Sequence, residues 1–276
     1  MKLWALLPVM LLVAACSPKN SGPVPVAQED RIINGKSVDR DSTVANATVA
    51  LMLADGDRIR TVCTGTLVSK DLVVTAGHCV EPIYSGYEMV VSFGPETYTS
   101  KNEGDLREID RAISYDYLTP PVGESHTRSI NELRDVALIK LRTSAPKWAV
   151  PVPILGSEAG LRMGQSVLLA GFGRTNEFVS AMSTLLQSTH VDIVSVEDRK
   201  ITVDQSKGTG ACWGDSGGPA FLETDRGLVV IGATSGSAYG SVDCHTKVVY
   251  ASLPGFKEFL QKVATVLGGE PPVFVE

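Results

Sequence analysis

The sequence predicts an all-β protein, a sandwich or barrel, closed near its C-terminus by one helix. Three observations predict it. Short β-like runs recur at Val49–Leu53, Thr61–Val68, Leu72–Ala76, Val136–Leu141, Ser166–Gly171 and Leu228–Thr234, separated by Gly, Asn, Asp and Ser. No long helical pattern falls between them. One helical stripe, Phe256, Phe259, Leu260, Val263 and Leu267, comes late, with Lys257, Glu258, Gln261 and Lys262 on its other face. Pro254 suits its first turn and Gly268-Gly269 its stop. This helix is expected to pack its stripe on the β-structure and to carry no chemistry.

The chain begins with a targeting segment over residues 1–15. Lys2 gives a positive start, and Leu3 to Ala15 is an apolar stretch of signal-peptide length. A membrane-spanning helix needs about 20 apolar residues, so this one is too short to remain as an anchor. It ends Leu12-Val13-Ala14-Ala15-Cys16, which resembles a bacterial lipobox, where small residues precede a cysteine that is acylated. The plainer alternative is an ordinary secretory signal cut nearby. The chain has five cysteines, and lipidation of Cys16 would leave four for two disulfides in an oxidising compartment. Residues 16–31 are rich in Pro, Ser and polar residues without period, and read as a flexible tether.

Of the 276 residues 43% are hydrophobic, enough for one large unit or two small cores side by side. The net charge of −6, with no basic run, argues against a nucleic-acid partner, because phosphate binding is driven by clustered Lys and Arg.

The strongest chemical signal is Gly210-Ala211-Cys212-Trp213-Gly214-Asp215-Ser216-Gly217-Gly218-Pro219. A serine hydroxyl is a poor nucleophile unless a base takes its proton and donors await the oxyanion. Flanking glycines let backbone N–H groups approach a carbonyl closely. The base must come from elsewhere. Of His78, His126, His190 and His245, only His78 sits in a motif, Thr75-Ala76-Gly77-His78-Cys79, after an apolar run. The orienting acid is expected to be Asp135. It opens Asp135-Val136-Ala137-Leu138-Ile139-Lys140-Leu141, and a carboxylate at the head of a buried strand is costly without a partner. Asp110 and Asp116 lie in more polar stretches.

In the order TAGHC, DVALIKL, GDSGGP, these motifs resemble the chymotrypsin/trypsin family. The order His–Asp–Ser sets aside subtilisin-like and α/β-hydrolase arrangements. The resemblance runs from Arg31 to Leu267, with support from Arg31-Ile32-Ile33-Asn34-Gly35, Cys63-Thr64-Gly65-Thr66-Leu67-Val68, Ala170-Gly171-Phe172-Gly173 and Ala233-Thr234-Ser235.

The resemblance implies two packed antiparallel six-stranded β-barrels, over residues 32–150 and 151–276, the second carrying the terminal helix. It implies a serine endopeptidase with His78, Asp135 and Ser216 as triad and the N–H groups of Gly214 and Ser216 as oxyanion hole. It pairs Cys63 with Cys79 and Cys212 with Cys244. It implies activation by cleavage between Arg31 and Ile32, the freed amine of Ile32 pairing with Asp215. Polypeptide substrates, a separate trypsin-like activating protease and a monomer follow. No cofactor is expected, and calcium, bound by some members, has no clear ligand set here.

The pocket departs from trypsin. Gly210 and Ala211 stand at its base, where trypsin-like enzymes carry an acid in the first of these positions. Trp213 is counted among its residues, Ser235-Gly236-Ser237 replaces Ser-Trp-Gly, and Val248 is expected to narrow it. Extra residues, Ala238 to Asp243, precede Cys244. These features predict a preference for a small or medium uncharged residue before the scissile bond. If Cys16 is acylated, the precursor is an outer-membrane lipoprotein that activation releases. The alternative function is a catalytically silent trypsin-fold binding protein, and a structural surface lipoprotein is a third reading.

Overall fold

The computed structural model describes residues 32–118, 134–174, 181–237 and 244–276. The signal segment, Cys16, the tether and Arg31 lie outside the described residues, as do His126 and the extra segment 238–243.

A short strand β1 (Lys36–Ser37) precedes the first barrel. That barrel consists of β2 (Thr48–Asp55), β3 (Arg58–Leu67), β4 (Leu72–Thr75), β5 (Met89–Phe93), β6 (Asp105–Ser114) and β7 (Ala137–Leu141). The strands close in the order β2-β3-β4-β7-β6-β5, all antiparallel. After β8 (Ile154–Leu155), the second barrel is built from β9 (Ser166–Gly171), β10 (Gln187–Glu197), β11 (Lys200–Asp204), β12 (Pro219–Thr224), β13 (Gly227–Ser237) and β14 (Lys247–Ser252). Its path β12-β9-β10-β11-β14-β13 closes through β12–β13 pairing.

The apolar runs are continuous because both faces of the central strands are buried. In β4 and β7, Val73 and Ile139 point into the first barrel, while Leu72, Val74 and Leu138 join a second cluster. That cluster also holds Phe172 and Phe221 from the second barrel and Leu260, Val263, Ala264 and Leu267 from the terminal helix. It therefore cements barrel to barrel and helix to both. The interior of the second barrel is separate, built from Val167, Leu169, Ile193, Ile201, Val203, Ile231 and Tyr250.

The helix runs Lys257–Leu267 after a 3-10 turn Pro254–Phe256, and Gly268 ends it at φ 67°. The chain then continues into β15 (Phe274–Val275), which pairs parallel with β8. At the other end, residues 33–37 lie on the second barrel, not the first to which the sequence boundary at 32 assigns them. β1 pairs with β10, and Ile33 bridges Gly210.

Candidate active site

His78 sits on a one-turn 3-10 helix, Gly77–Val80, directly after β4. The Cys63–Cys79 disulfide ties this turn to β3. Asp135 lies just before β7, which pairs with β4, so strand pairing alone brings the two residues together. The Asp135 carboxylate is 7% exposed. It accepts the backbone N–H of His78 at 2.9 Å and stands 2.9 Å and 3.1 Å, through its two oxygens, from His78 Nδ1. Ser235 Oγ, from β13 of the other barrel, donates to it at 2.6 Å. Burial alone would raise its pKa. The ring hydrogen bond and charge of His78, with the donors Ser235 Oγ and His78 N–H, outweigh burial and bring it down to about 2. The acid is thus ionised, and it binds the Nδ1 side of the ring, leaving Nε2 for the nucleophile.

Ser216 is half-buried on the loop before β12. Thr64 holds this loop from the first barrel. Its N–H donates to Ser216 O at 2.9 Å and its Oγ1 donates to Gly214 O at 3.0 Å, while Oγ1 accepts Phe172 N–H at 3.2 Å. Thr64 is itself held by Thr75 Oγ1, which donates to its carbonyl at 2.8 Å. Gly217 abuts the histidine turn, where an added Cβ would fall 1.9 Å from Thr75 Oγ1 and 2.8 Å from Ala76 N. Gly214 has φ 95°, and Met182 Sδ would lie 2.5 Å from a Cβ there, so only glycine fits. The N–H groups of Gly214 and Ser216 have no hydrogen-bond partner among the described residues. Two unpartnered donors beside a serine form the arrangement that receives an oxyanion.

Asp215 is 1% exposed, and burial pushes its pKa up to about 7 against the N–H bonds from Cys212 and Gly173, each 2.8 Å. Its carboxylate fills the space that side chains at Gly171 and Gly173 would need. No cationic group among the described residues pairs with it. Ile32 is 1% exposed with φ 47°, an unfavourable backbone for a β-branched residue. Next to it, Ile33 O accepts Gly210 N–H at 3.2 Å, and Asn34 Nδ2 donates to Gly208 O at 2.6 Å.

The expected pocket residues divide. Gly210 and Ala211 are buried, Cys212 and Cys244 are disulfide-bonded, and Gly236 and Ser237 pair with Val249 and Val248. Val248 is buried in the barrel core with Ala211. Trp213 is 51% exposed, its carbonyl accepting Arg174 N–H at 2.7 Å, with the Arg174 guanidinium 6.0 Å from its ring centroid. Ser235, expected at the pocket, commits its hydroxyl to Asp135. Sequence reasoning missed that role, the Thr64 hydroxyl and the buried amide of Gln205. Thr64 stands within the Cys63–Val68 motif, but Gln205 carries no sequence signal. His190 makes an exposed contact with Glu223 at 2.8 Å, which links a side chain of β10 to one of β12.

The trypsin family profile matches residues 32–260. The chain is 26% identical to trypsin of Sarcophaga bullata over 90% of its own length and 94% of that protein. It is 27% identical to phenoloxidase-activating factor 3 of Holotrichia diomphalia over 67% of its own length, and 28% identical to melanization protease 1 of Drosophila melanogaster, also over 67%. It covers 58% and 53% of those two proteins, little more than half their length. With the two barrels, the ordered motifs and a profile match over most of its length, the chain belongs to the trypsin family of serine-type endopeptidases.

Proposed function

We propose that this chain hydrolyses peptide bonds in polypeptides through an acyl-enzyme formed on Ser216. The observation that carries the reading is the Ser235–Asp135–His78 hydrogen-bonded array beside a serine loop with two unpartnered N–H groups. Ser216 Oγ attacks the carbonyl carbon as His78 Nε2 takes its proton. The oxyanion settles between the Gly214 and Ser216 N–H groups, each worth roughly 3–4 kcal/mol in the transition state. His78 then protonates the leaving amine, and water repeats the sequence on the acyl-enzyme. Asp135 holds the ring tautomer and the charge that develops on it.

Activation is by cleavage of the Arg31–Ile32 bond. The raised pKa of Asp215 supports this, because a buried carboxylate without a cation is unstable when charged, and a freed Ile32 ammonium would supply one. The left-handed backbone at Ile32 supports it too, since cleavage frees that residue to relax. An arginine before the bond calls for a trypsin-like activator, distinct from this enzyme. Relatives named as an activating factor and a melanization protease are consistent with protein substrates. Export, and a lipid on Cys16 with release on activation, rest on the leader sequence. Both disulfides lie downstream of Arg31, so neither tethers the leader to the cut chain.

The test is peptide hydrolysis by protein cut after Arg31, beside its Ser216→Ala variant. The reading expects turnover from the first and none from the second, with equal thermal unfolding. Equal turnover from both would overturn it, and no turnover from either would favour a binding protein.

A further inference from the structure

We propose that Gln205 sets the depth and charge of the primary specificity pocket. This deepens the peptidase reading and rests on it. Gln205 follows β11 and is fully buried, its N–H donating to Thr246 O at 2.9 Å. Its side-chain Nε2 donates to Ala211 O at 2.9 Å and to Cys244 O at 2.7 Å, and Oε1 accepts Ala211 N–H at 2.7 Å. Both amide hydrogens are therefore used, and the group is fixed between the segment before the nucleophile and the segment that the Cys212–Cys244 disulfide ties to it.

The direction of this side chain is informative. A Cβ built on Gly210 would lie 2.1 Å from Gln205 Cδ, 2.3 Å from Oε1 and 2.4 Å from Cγ. The Gln205 amide thus occupies the place into which any side chain at 210 would extend. At that position an acid would confer a preference for Arg or Lys. Here the volume is filled from a different point in the chain, by a neutral group whose hydrogens are committed elsewhere. Gly210 also has φ 153°, which disfavours a side chain independently. The pocket is closed at that level. Among the described residues no charge stands there to solvate a cation, and the filled volume would stop an unbranched side chain after a few carbons. A misfit of one methylene in an apolar pocket is worth roughly 10–200-fold in kcat/KM, so the cutoff should be steep.

The experiment uses the full chain cut after Arg31 and matched peptides that differ only before the scissile bond: alanine, α-aminobutyrate, norvaline, norleucine and arginine. A fluorophosphonate probe counts active serines in each sample. The wild type is expected to cleave aminobutyrate at least about tenfold faster than norleucine, with arginine slower still. Gln205→Ala should raise norleucine over aminobutyrate by about tenfold or more. Gln205→Met, similar in length without the amide, should keep the wild-type order of the uncharged peptides. Norleucine or arginine preferred by the wild type overturns the proposal without any variant. So does an unchanged order in Gln205→Ala with rates lowered equally on every peptide, which marks a structural residue, or the same shift in both variants, which marks the hydrogen bonds and not the volume. If Gln205→Ala does not fold, Gln205→Asn, one methylene shorter with the amide kept, takes its place, and an order unchanged from the wild type in it overturns the proposal. Unlabelled wild type means that the peptidase reading itself has failed; full labelling with the wrong order means that only the role of Gln205 has.

Discussion

Asp135 is held by three donors, and removing its charge has a consequence different from removing any of them. Asp135→Asn should lower kcat by roughly 10⁴-fold, the size of effect known for that change in a triad of this kind, with the fold kept; steady-state kinetics on cut protein checks it. Because its pKa is held near 2, below the ordinary 3.8, its contribution to stability is present above about pH 4 and is lost as pH falls towards 2. That contribution is on the order of 2 kcal/mol. Thr64 acts at one remove. Thr64→Val keeps the shape but leaves Gly214 O and Phe172 N–H unpaired in a buried site. We expect kcat to fall by roughly 10–100-fold, following about 1–3 kcal/mol for an unsatisfied buried group, with KM little changed and Thr64→Ser restoring the rate. A change in KM alone would contradict a role in holding the oxyanion loop. The sequence made His78, Asp135 and Ser216 legible because each sits in a compact motif. It hid Ser235, Thr64 and Gln205 because their hydrogen bonds are made only in the folded chain, two of them across 100 and 150 residues.

Among the elements, β2, β3, β4, β7, β9 and β13 were legible as apolar runs, because their side chains are buried on the barrel interior, the barrel interface or both. β6 and β10 were not. β6 reads Asp-Leu-Arg-Glu-Ile-Asp-Arg over its exposed half, and β10 carries Gln187, Ser188, Thr189, His190 and Asp192, so partner strands and not apolar content define them. The helix was legible in full, from Pro254 to Gly268, but not the strap that follows it. There Glu270 N–H donates to Asp71 Oδ1 at 2.9 Å, and β15 is anchored by Ile154 N–H to Val273 O at 2.8 Å and Gly156 N–H to Val275 O at 2.7 Å. Asp71 in turn pairs with Lys140 of β7 at 2.9 Å, so the strap joins the first barrel to β8. Ending the chain at Gly269 should cost about 3 kcal/mol at about 1 kcal/mol per bond, a fall in Tm of roughly 6–12 °C. Calorimetry reads this directly, and an unchanged Tm would show the strap to be passive.

At the scale of the molecule, the two barrels meet along one apolar cluster, and the reacting groups come from both. His78 and Asp135 belong to the first and Ser216 and Ser235 to the second, so the proposed triad requires the barrels to be docked. The proposed activation would act on this whole through Asp215. In the uncut chain its folded pKa is about 7 against 3.8 unfolded, so the folded state keeps a proton that the unfolded state has lost. Stability therefore falls as pH rises from about 4 to 7, by up to roughly 4 kcal/mol. Under the proposed activation, cleavage would supply an ammonium and remove that loss. Using Ser216→Ala to prevent self-digestion, the Tm gained on cutting after Arg31 should be larger at about pH 7.5 than at about pH 5; the reverse order would contradict a buried Ile32–Asp215 pair. Which residues flank Ser216 in space, and that an N-terminal segment packs on the second barrel, could not be read from local patterns, because barrel closure and docking are decided by pairings between distant strands.

The most direct measurement is the intact mass of the protein after a fluorophosphonate probe, before and after cleavage at Arg31–Ile32, with the labelled residue located by peptide mapping. The account predicts one adduct per cut molecule, on Ser216, slow or absent labelling of the uncut chain, and none in His78→Ala. Adducts spread over other serines, or a cut, folded protein that takes up no probe, would contradict it.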